Sequence, residues 1–241
     1  MPKIVLLWTD IALFVLLLAV AFYAWRAYRS PNLRATWGRV AQDTPAMCAA
    51  VVLGAFVLMG VLDSLHYRPL LEAVKVEGAK GGTSARAYAP VTKSVLDALL
   101  EKPVAGREKT YSAPLAVRQF NKESVLVNGQ PVRDFPRLRF GGAHLKDPDS
   151  QWLGDVLRRG LAGLVGGALV ALVACLLVGA AISHVRGLTP RATWDAIAER
   201  RTPVPWGAMM LTFTIICALT GLAASLSTGY HALGTDSTGN D

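Results

Sequence analysis

The chain has 241 residues, of which 52% are hydrophobic and 17% charged, with a net charge of +8. Soluble domains carry about 25% charged residues, so the apolar excess must be concentrated in particular segments. No HExxH, GxSxG, P-loop or paired-cysteine pattern occurs, and we therefore expect no enzyme activity, no metal site and no cofactor. The three cysteines lie in apolar segments, which leaves no disulfide framework in the polar part.

Four apolar blocks predict an α-helical integral membrane protein with four transmembrane helices. A hydrocarbon core about 30 Å thick needs roughly 20 helical residues. The second block is shorter than the others, and the fourth is diluted by hydroxyl side chains that include Thr212, Thr214, Thr220, Ser225 and Ser227. The first block is expected to be retained rather than cleaved, because its apolar stretch is longer than the core of a usual signal peptide and the positive charge lies mostly after it. The blocks cover residues 4–25, 46–62, 160–183 and 204–229.

Two short arginine-rich loops follow the first and third blocks. By the positive-inside rule both loops are cytoplasmic, so the N-terminus, residues 63–159 and the C-terminal tail lie outside. In a Gram-negative cell, this orientation places the chain in the inner membrane with its outer parts in the periplasm. Basic residues beside a membrane determine topology more often than they bind partners, so nucleic acid is not expected. The predicted interfacial residues are Arg26, Arg29, Arg34, Trp37 and Arg39 in the first loop, and Arg186, Arg191, Trp194, Arg200 and Arg201 in the second.

The tetrapeptide Arg-Ala-Thr-Trp occurs at 34–37 and again at 191–194, once in each basic loop. This pattern is typical of an interfacial amphipathic helix with Trp at the headgroup level and Arg toward the phosphates. Internal duplication and chance recurrence both remain open.

The outer segment, 63–159, predicts a small α+β domain between the second and third helices. Residues 79–89 are small and polar, and 91–100 have the apolar spacing of a short helix that ends at Lys102-Pro103. Residues 123–135 predict a β-hairpin around Asn128-Gly129, the dipeptide that favours a type I′ turn. Residues 137–148 are expected to be loop, and the third helix could start early, within 151–159.

Polar residues near the membrane offer few candidate sites. Asp63 and His66, at i and i+3, could hold a metal or a proton, but an ordinary interfacial position is favoured. Asp10 is close enough to the outer end of the first helix for snorkelling or for interaction with the helix dipole. Gly163 and Gly167 form a GxxxG pair that predicts close helix packing.

The C-terminal string HALGTDSTGND is the most specific motif. It resembles the H-x-x-G-T-D-x-x-G-x-D signature of permease subunits in dipeptide and oligopeptide ABC importers of the C type. The resemblance implies that the fourth helix is the first core helix of such a permease. It also implies a second permease subunit, cytosolic ATPase subunits that use ATP, and a periplasmic solute-binding protein. The matching residues are His231, Gly234, Thr235, Asp236, Gly239 and Asp241.

The match covers little of the chain. Residues 1 to about 190 have no counterpart in short permeases, and the coupling loop and remaining core helices are absent. We therefore expect a fragment, a truncated reading frame or one piece of a split permease, with extra N-terminal helices. The alternative is a self-standing membrane scaffold or sensor whose outer domain binds a partner. The predicted division is 1–62, two helices; 63–159, outer domain; 160–229, two helices; and 230–241, tail.

Overall fold

The computed structural model describes residues 3–70, 88–104, 108, 110–127 and 130–236, and only the backbone of 101–104, 125–127 and 130. Long apolar helices are separated by short polar helices and strands. The elements are β1 Lys3–Ile4, α1 Trp8–Arg29, α2 Pro31–Val40, α3 Thr44–Ser64, β2 His66–Arg68, β3 Lys93–Ser94, α4 Val95–Val104, β4 Glu123–Val127, β5 Gln130–Asp134, α5 Pro148–Arg186, α6 Pro190–Ala198 and α7 Trp206–Ser227.

Among the described residues, four helices are long and apolar enough to cross a membrane, namely α1, α3, α5 and α7. In each helix, at most 17% of an apolar stretch of 18 residues is buried inside the protein. An apolar helix that the chain leaves uncovered requires a lipid or protein environment. The prediction of four such helices is therefore confirmed by length and composition.

The bounds of α3 and α7 lie within two residues of those predicted, whereas those of α1 and α5 differ by more. Helix α1 begins at Trp8 rather than at residue 4, because Lys3 and Ile4 form β1 and pair with Arg68 and Tyr67. Helix α5 begins at Pro148, twelve residues before the apolar block, so the early start considered for 151–159 is confirmed. At 1.5 Å per residue, α5 is roughly 58 Å long and exceeds the hydrocarbon core of a bilayer.

The chain divides into two compact units, Met1–Glu101 and Lys102–Asp241. In the first unit, β2 lies between β1 and β3, and both pairs are antiparallel. Since β1 precedes α1, residues from both sides of the first two long helices build this sheet. The structure therefore does not support one soluble domain placed between the second and third long helices.

Helix α4 begins later than its apolar spacing predicted. Ser94 Oγ accepts the Asp97 amide at 2.9 Å, and the Asp97 carboxylate accepts the Ser94 amide at 2.8 Å. These reciprocal bonds form a capping box that fixes the start at Val95. The expected end at Lys102-Pro103 is also wrong, since α4 continues to Val104.

The predicted hairpin is confirmed in the second unit. Strands β4 and β5 pair antiparallel from Glu123 with Asp134 to Val127 with Gln130. This register leaves a two-residue connection, as the Asn-Gly dipeptide predicted. The turn itself, 128–129, lies outside the described residues, as do residues 79–87 of the small polar stretch.

Helices α5 and α7 pack along a glycine seam. A Cβ at Gly163 would lie 2.7 Å from the Cβ of Ser225 and overlap the Gly221 carbonyl oxygen, and one at Gly167 would overlap the Cys217 carbonyl oxygen. Only glycine allows backbones to approach this closely, so the packing role predicted for the GxxxG pair is confirmed. The seam holds the two helices together and sets where their ends lie.

Candidate functional site

The chain that leaves α7 turns back onto the loops that precede α5. The Leu115 amide donates to the His231 carbonyl oxygen at 2.9 Å, and the Gly142 amide donates to the Gly229 carbonyl oxygen at 2.8 Å. Tyr230 and His231 are both buried. The motif is therefore part of a packed structure in the second unit.

Thr235 anchors the far end of this turn. Its side chain donates to the Thr110 carbonyl oxygen at 2.6 Å and lies 2.9 Å from the Ser112 hydroxyl. The Ser112 hydroxyl also accepts the Thr235 amide, and a β-bridge joins the two backbones. With 6% of its surface exposed, Thr235 satisfies its polar groups inside the protein rather than in water.

Gly234 requires glycine for two reasons. Its φ angle of +85° lies in the left-handed region that side chains disfavour. A Cβ here would also overlap the Ser112 carbonyl oxygen. The glycine of the motif thus allows the tail to approach the backbone at Ser112.

Asp155 connects its own helix, α5, to the loop that precedes α5 and to the tail that follows α7. Its Oδ2 accepts from Arg159 Nε at 2.7 Å and from the Tyr230 hydroxyl at 2.9 Å, and it lies 2.6 Å from His144 Nε2. Only 10% of the Asp155 side chain is exposed. We call Asp155, His144, Arg159 and Tyr230 the carboxylate cluster.

Arg159 and Trp152 of α5 form further hydrogen bonds around the carboxylate cluster. Arg159 also donates to the Thr228 hydroxyl at 3.0 Å, and its carbonyl oxygen accepts from Ser225 at 2.8 Å. Trp152 Nε1 donates to the Leu115 carbonyl oxygen at 2.8 Å. The first turns of α5 are thereby bonded both to the end of α7 and to the loop that holds the tail.

The carboxylate cluster also changes the acidity of Tyr230. Burial raises the pKa of its phenol, and the hydrogen bond to the negatively charged Asp155 raises it further, to about 12. The phenol is therefore neutral and donates its proton at physiological pH. The polar contacts of the cluster join α5 to the loop before it and to the tail. The described ranges contain no group of three or more His, Cys, Asp or Glu side chains placed to hold a metal ion.

Of the six residues predicted from the permease signature, the structure brings His231, Gly234 and Thr235 into this site. Asp236 is half-buried beside them. Gly239 and Asp241 lie outside the described residues.

The predicted interfacial residues lie on or next to the two short helices. Helices α2 and α6 follow α1 and α5, so helix formation at both Arg-Ala-Thr-Trp sequences is confirmed. The two tryptophans differ, however. Trp37 is exposed and donates to the Tyr23 hydroxyl at 3.2 Å, whereas Trp194 is half-buried against Gly179 of α5. All predicted interfacial arginines are exposed. They are Arg26, Arg29, Arg34, Arg39, Arg186, Arg191, Arg200 and Arg201.

Asp63 and His66 do not share a helix, so their i,i+3 spacing does not form the metal or proton site that was considered for them. Helix α3 ends at Ser64, so His66 lies in β2, and Asp63 is exposed. His66 Nδ1 instead lies 3.0 Å from the carboxylate of Asp10, which is 1% exposed. Asp10 also accepts the Leu7 amide at 2.8 Å, in the first turn of α1. The snorkelling considered for Asp10 is wrong, because its carboxylate is buried against these two partners, and the interaction with the helix dipole stays a prediction.

Sequence reasoning missed the carboxylate cluster. The four histidines are widely separated in the sequence, and His144 had no visible partner. The only local signal was the spacing of Asp155, Arg158 and Arg159, since i,i+3 and i,i+4 pairs of opposite charge face each other on a helix. Arg158 lies 3.3 Å from Asp155 and Arg159 at 2.7 Å, as that spacing predicts.

Comparisons with protein-family models, with curated proteins and with solved structures find no match to this chain.

Proposed function

We propose that this chain is the membrane-spanning N-terminal portion of an ABC importer permease subunit for peptides or related solutes. The observation that carries the proposal is the C-terminal motif, in which six residues match the permease signature in type and spacing. The motif follows α7 directly, and α7 is apolar over 22 residues. This order, a membrane helix followed by the signature, is the one the resemblance requires.

The geometry of the tail supports the same proposal. Contacts of Gly229, His231 and Thr235 with the 110–145 region fix the direction in which the chain leaves α7. In this proposal the first three long helices and the segments around them are an addition in front of the permease core.

The proposed setting is the bacterial inner membrane, with the N-terminus and the tail on the periplasmic side. The partners are membrane lipid, a second permease subunit, cytosolic ATPase subunits that hydrolyse ATP, and a periplasmic solute-binding protein. The basic residues of α2 and α6 support this orientation, because short arginine-rich loops are retained in the cytoplasm.

Cysteine labelling of the natural full-length protein in intact cells tests the orientation. An impermeant maleimide should label Asn121→Cys, since position 121 is exposed in the proposed periplasmic part, but should not label Gln42→Cys, an exposed position before α3. Both positions should react after the cells are permeabilised. Labelling of Gln42→Cys in intact cells would contradict the proposed topology.

The coding DNA downstream of Asp241 distinguishes the importer proposal from the alternative of a membrane scaffold or sensor. The proposal predicts further apolar helices and a cytoplasmic coupling loop of the EAA type in the same frame or in an adjacent gene. A stop codon with no permease or ATPase gene nearby would favour the membrane scaffold or sensor.

A further inference from the structure

A cleft of about 400 Å³ lies where α1 ends and α2 begins. Tyr28, Arg29, Pro31, Arg34 and Ala35 line it. The chain turns sharply here because Ser30 is extended between the two helices and Pro31 starts α2. The cleft also lies at the first turn of α2, where the helix dipole adds partial positive charge.

Within the part of the chain that the structure describes, no acidic side chain neutralises the two guanidinium groups of the cleft. Residues 11–42 contain no Asp or Glu. Among the described residues, neither Arg29 nor Arg34 forms an ion pair. Two adjacent positive charges without a carboxylate attract an anion from outside the chain.

Aromatic rings hold both guanidinium groups in place. The Cζ atom of Arg29 lies 4.5 Å from the centre of the Trp25 ring, and the Cζ atom of Arg34 lies 5.6 Å from the centre of the Tyr28 ring. A guanidinium over a ring face keeps its N–H donors free at its edge. Less side-chain entropy is then lost when these donors bind a phosphate.

The surroundings favour a lipid over a small soluble anion. Phe22, Trp25 and Tyr28 are exposed on the last turns of α1, next to its apolar surface. Aromatic side chains of this kind concentrate at the boundary between headgroups and acyl chains. A phospholipid could place its phosphate in the cleft and its acyl chains along α1, whereas a soluble phosphate would leave these rings in water.

We propose that this cleft binds the phosphate of an anionic phospholipid. The inference rests on the membrane placement in the proposed function, but not on transport. It assigns Arg29 and Arg34 a specific ligand in addition to their part in the general positive charge of the loop.

The test measures phosphatidylglycerol binding to the purified full-length protein by native mass spectrometry, with phosphatidylcholine as the neutral reference. Double substitution Arg29→Gln/Arg34→Gln should weaken phosphatidylglycerol binding roughly tenfold, because both charge-assisted contacts are lost. The matched control, Arg26→Gln/Arg39→Gln, removes the same charge from the same two helices at positions that do not line the cleft. It should change binding by less than about twofold.

A pair of charge-conserving substitutions tests whether the shape of the guanidinium groups matters for binding. Arg29→Lys/Arg34→Lys keeps both charges but loses the planar fork, so binding should fall to a level between the native protein and the glutamine pair. All these side chains are exposed, and circular dichroism should show unchanged helix content. If the cleft pair and the control pair weaken binding equally, diffuse charge explains the effect and the inference is overturned.

Two further outcomes separate the possible failures. If inorganic phosphate at millimolar concentration displaces the lipid with the same dependence on Arg29 and Arg34, the site takes free phosphate and the lipid proposal is wrong. Alkaline carbonate extraction tests the membrane placement separately. A protein that stays in the membrane but does not prefer phosphatidylglycerol refutes the inference alone, whereas a protein released by carbonate refutes the proposed function.

Discussion

Replacing Asp155 by Asn should release the tail from α5. The native carboxylate oxygen accepts from Arg159 and Tyr230 and lies within hydrogen-bond distance of His144, and only 10% of its side chain is exposed. A hydrogen bond to a charged group contributes about 1.5–3 kcal/mol. The amide keeps an acceptor oxygen but loses the charge, so we expect the free energy of unfolding to fall by about 2–4 kcal/mol.

Arg158→Gln is the matched control for this substitution. Arg158 contacts the same carboxylate at 3.3 Å, but 78% of its side chain is exposed. Water already screens that pair, so its loss should change stability far less. Unfolding of the detergent-purified protein by SDS, followed by circular dichroism, measures both variants.

Amide hydrogen exchange provides a local measure of the same effect. The amides of Leu115 and Gly142 donate to carbonyl groups at positions 231 and 229. They should exchange faster in the Asp155→Asn protein, while the middle of α5 stays protected. Equal stability of the two variants, or unchanged exchange at these amides, would refute the role given to the carboxylate cluster.

Three further predictions follow from single residues. Gly167→Ala should lower the free energy of unfolding by about 1–3 kcal/mol, because the added Cβ overlaps the α7 backbone. Gly166→Ala should raise it slightly, because a Cβ there meets nothing within 4 Å. SDS unfolding measures both variants, and equal effects would contradict the packing role of the glycine seam. Gly234→Ala should speed hydrogen exchange in the tail, because its φ angle and the lack of space both disfavour a side chain; native exchange would show that the tail does not depend on this contact. Tyr230 should titrate near pH 12 by ultraviolet difference spectroscopy, a late step that Tyr230→Phe removes. Because its folded pKa lies above its ordinary value of 10, its contribution to stability is complete below pH 10 and is lost as the pH rises towards 12.

The long helices and the hairpin could be predicted because their signals are local. Twenty apolar residues in sequence, or an Asn-Gly pair between two β-forming runs, need no distant partner to be recognised. The start of α1 was harder to predict, because β1 is only two residues long and exists through pairing with β2, more than sixty residues away.

The polar contacts could not be predicted for a related reason. Asp10 meets His66 and Asp155 meets Tyr230 across 56 and 75 positions of sequence. No spacing rule links residues so far apart, and both pairs exist only because the segments that carry them pack against each other. The motif at 231–236 was visible in the sequence, but its contacts with Thr110 and Ser112 were not.

The central proposal is that this chain belongs to an ABC importer. Its most direct test is co-purification of the natural full-length protein, tagged at its N-terminus, from native membranes under mild detergent, with the bound proteins identified by mass spectrometry. The account predicts that an ABC-type ATPase and a second permease subunit are recovered in stoichiometric amounts. Recovery of a membrane-integrated protein without any ATPase would contradict the importer and leave the scaffold or sensor.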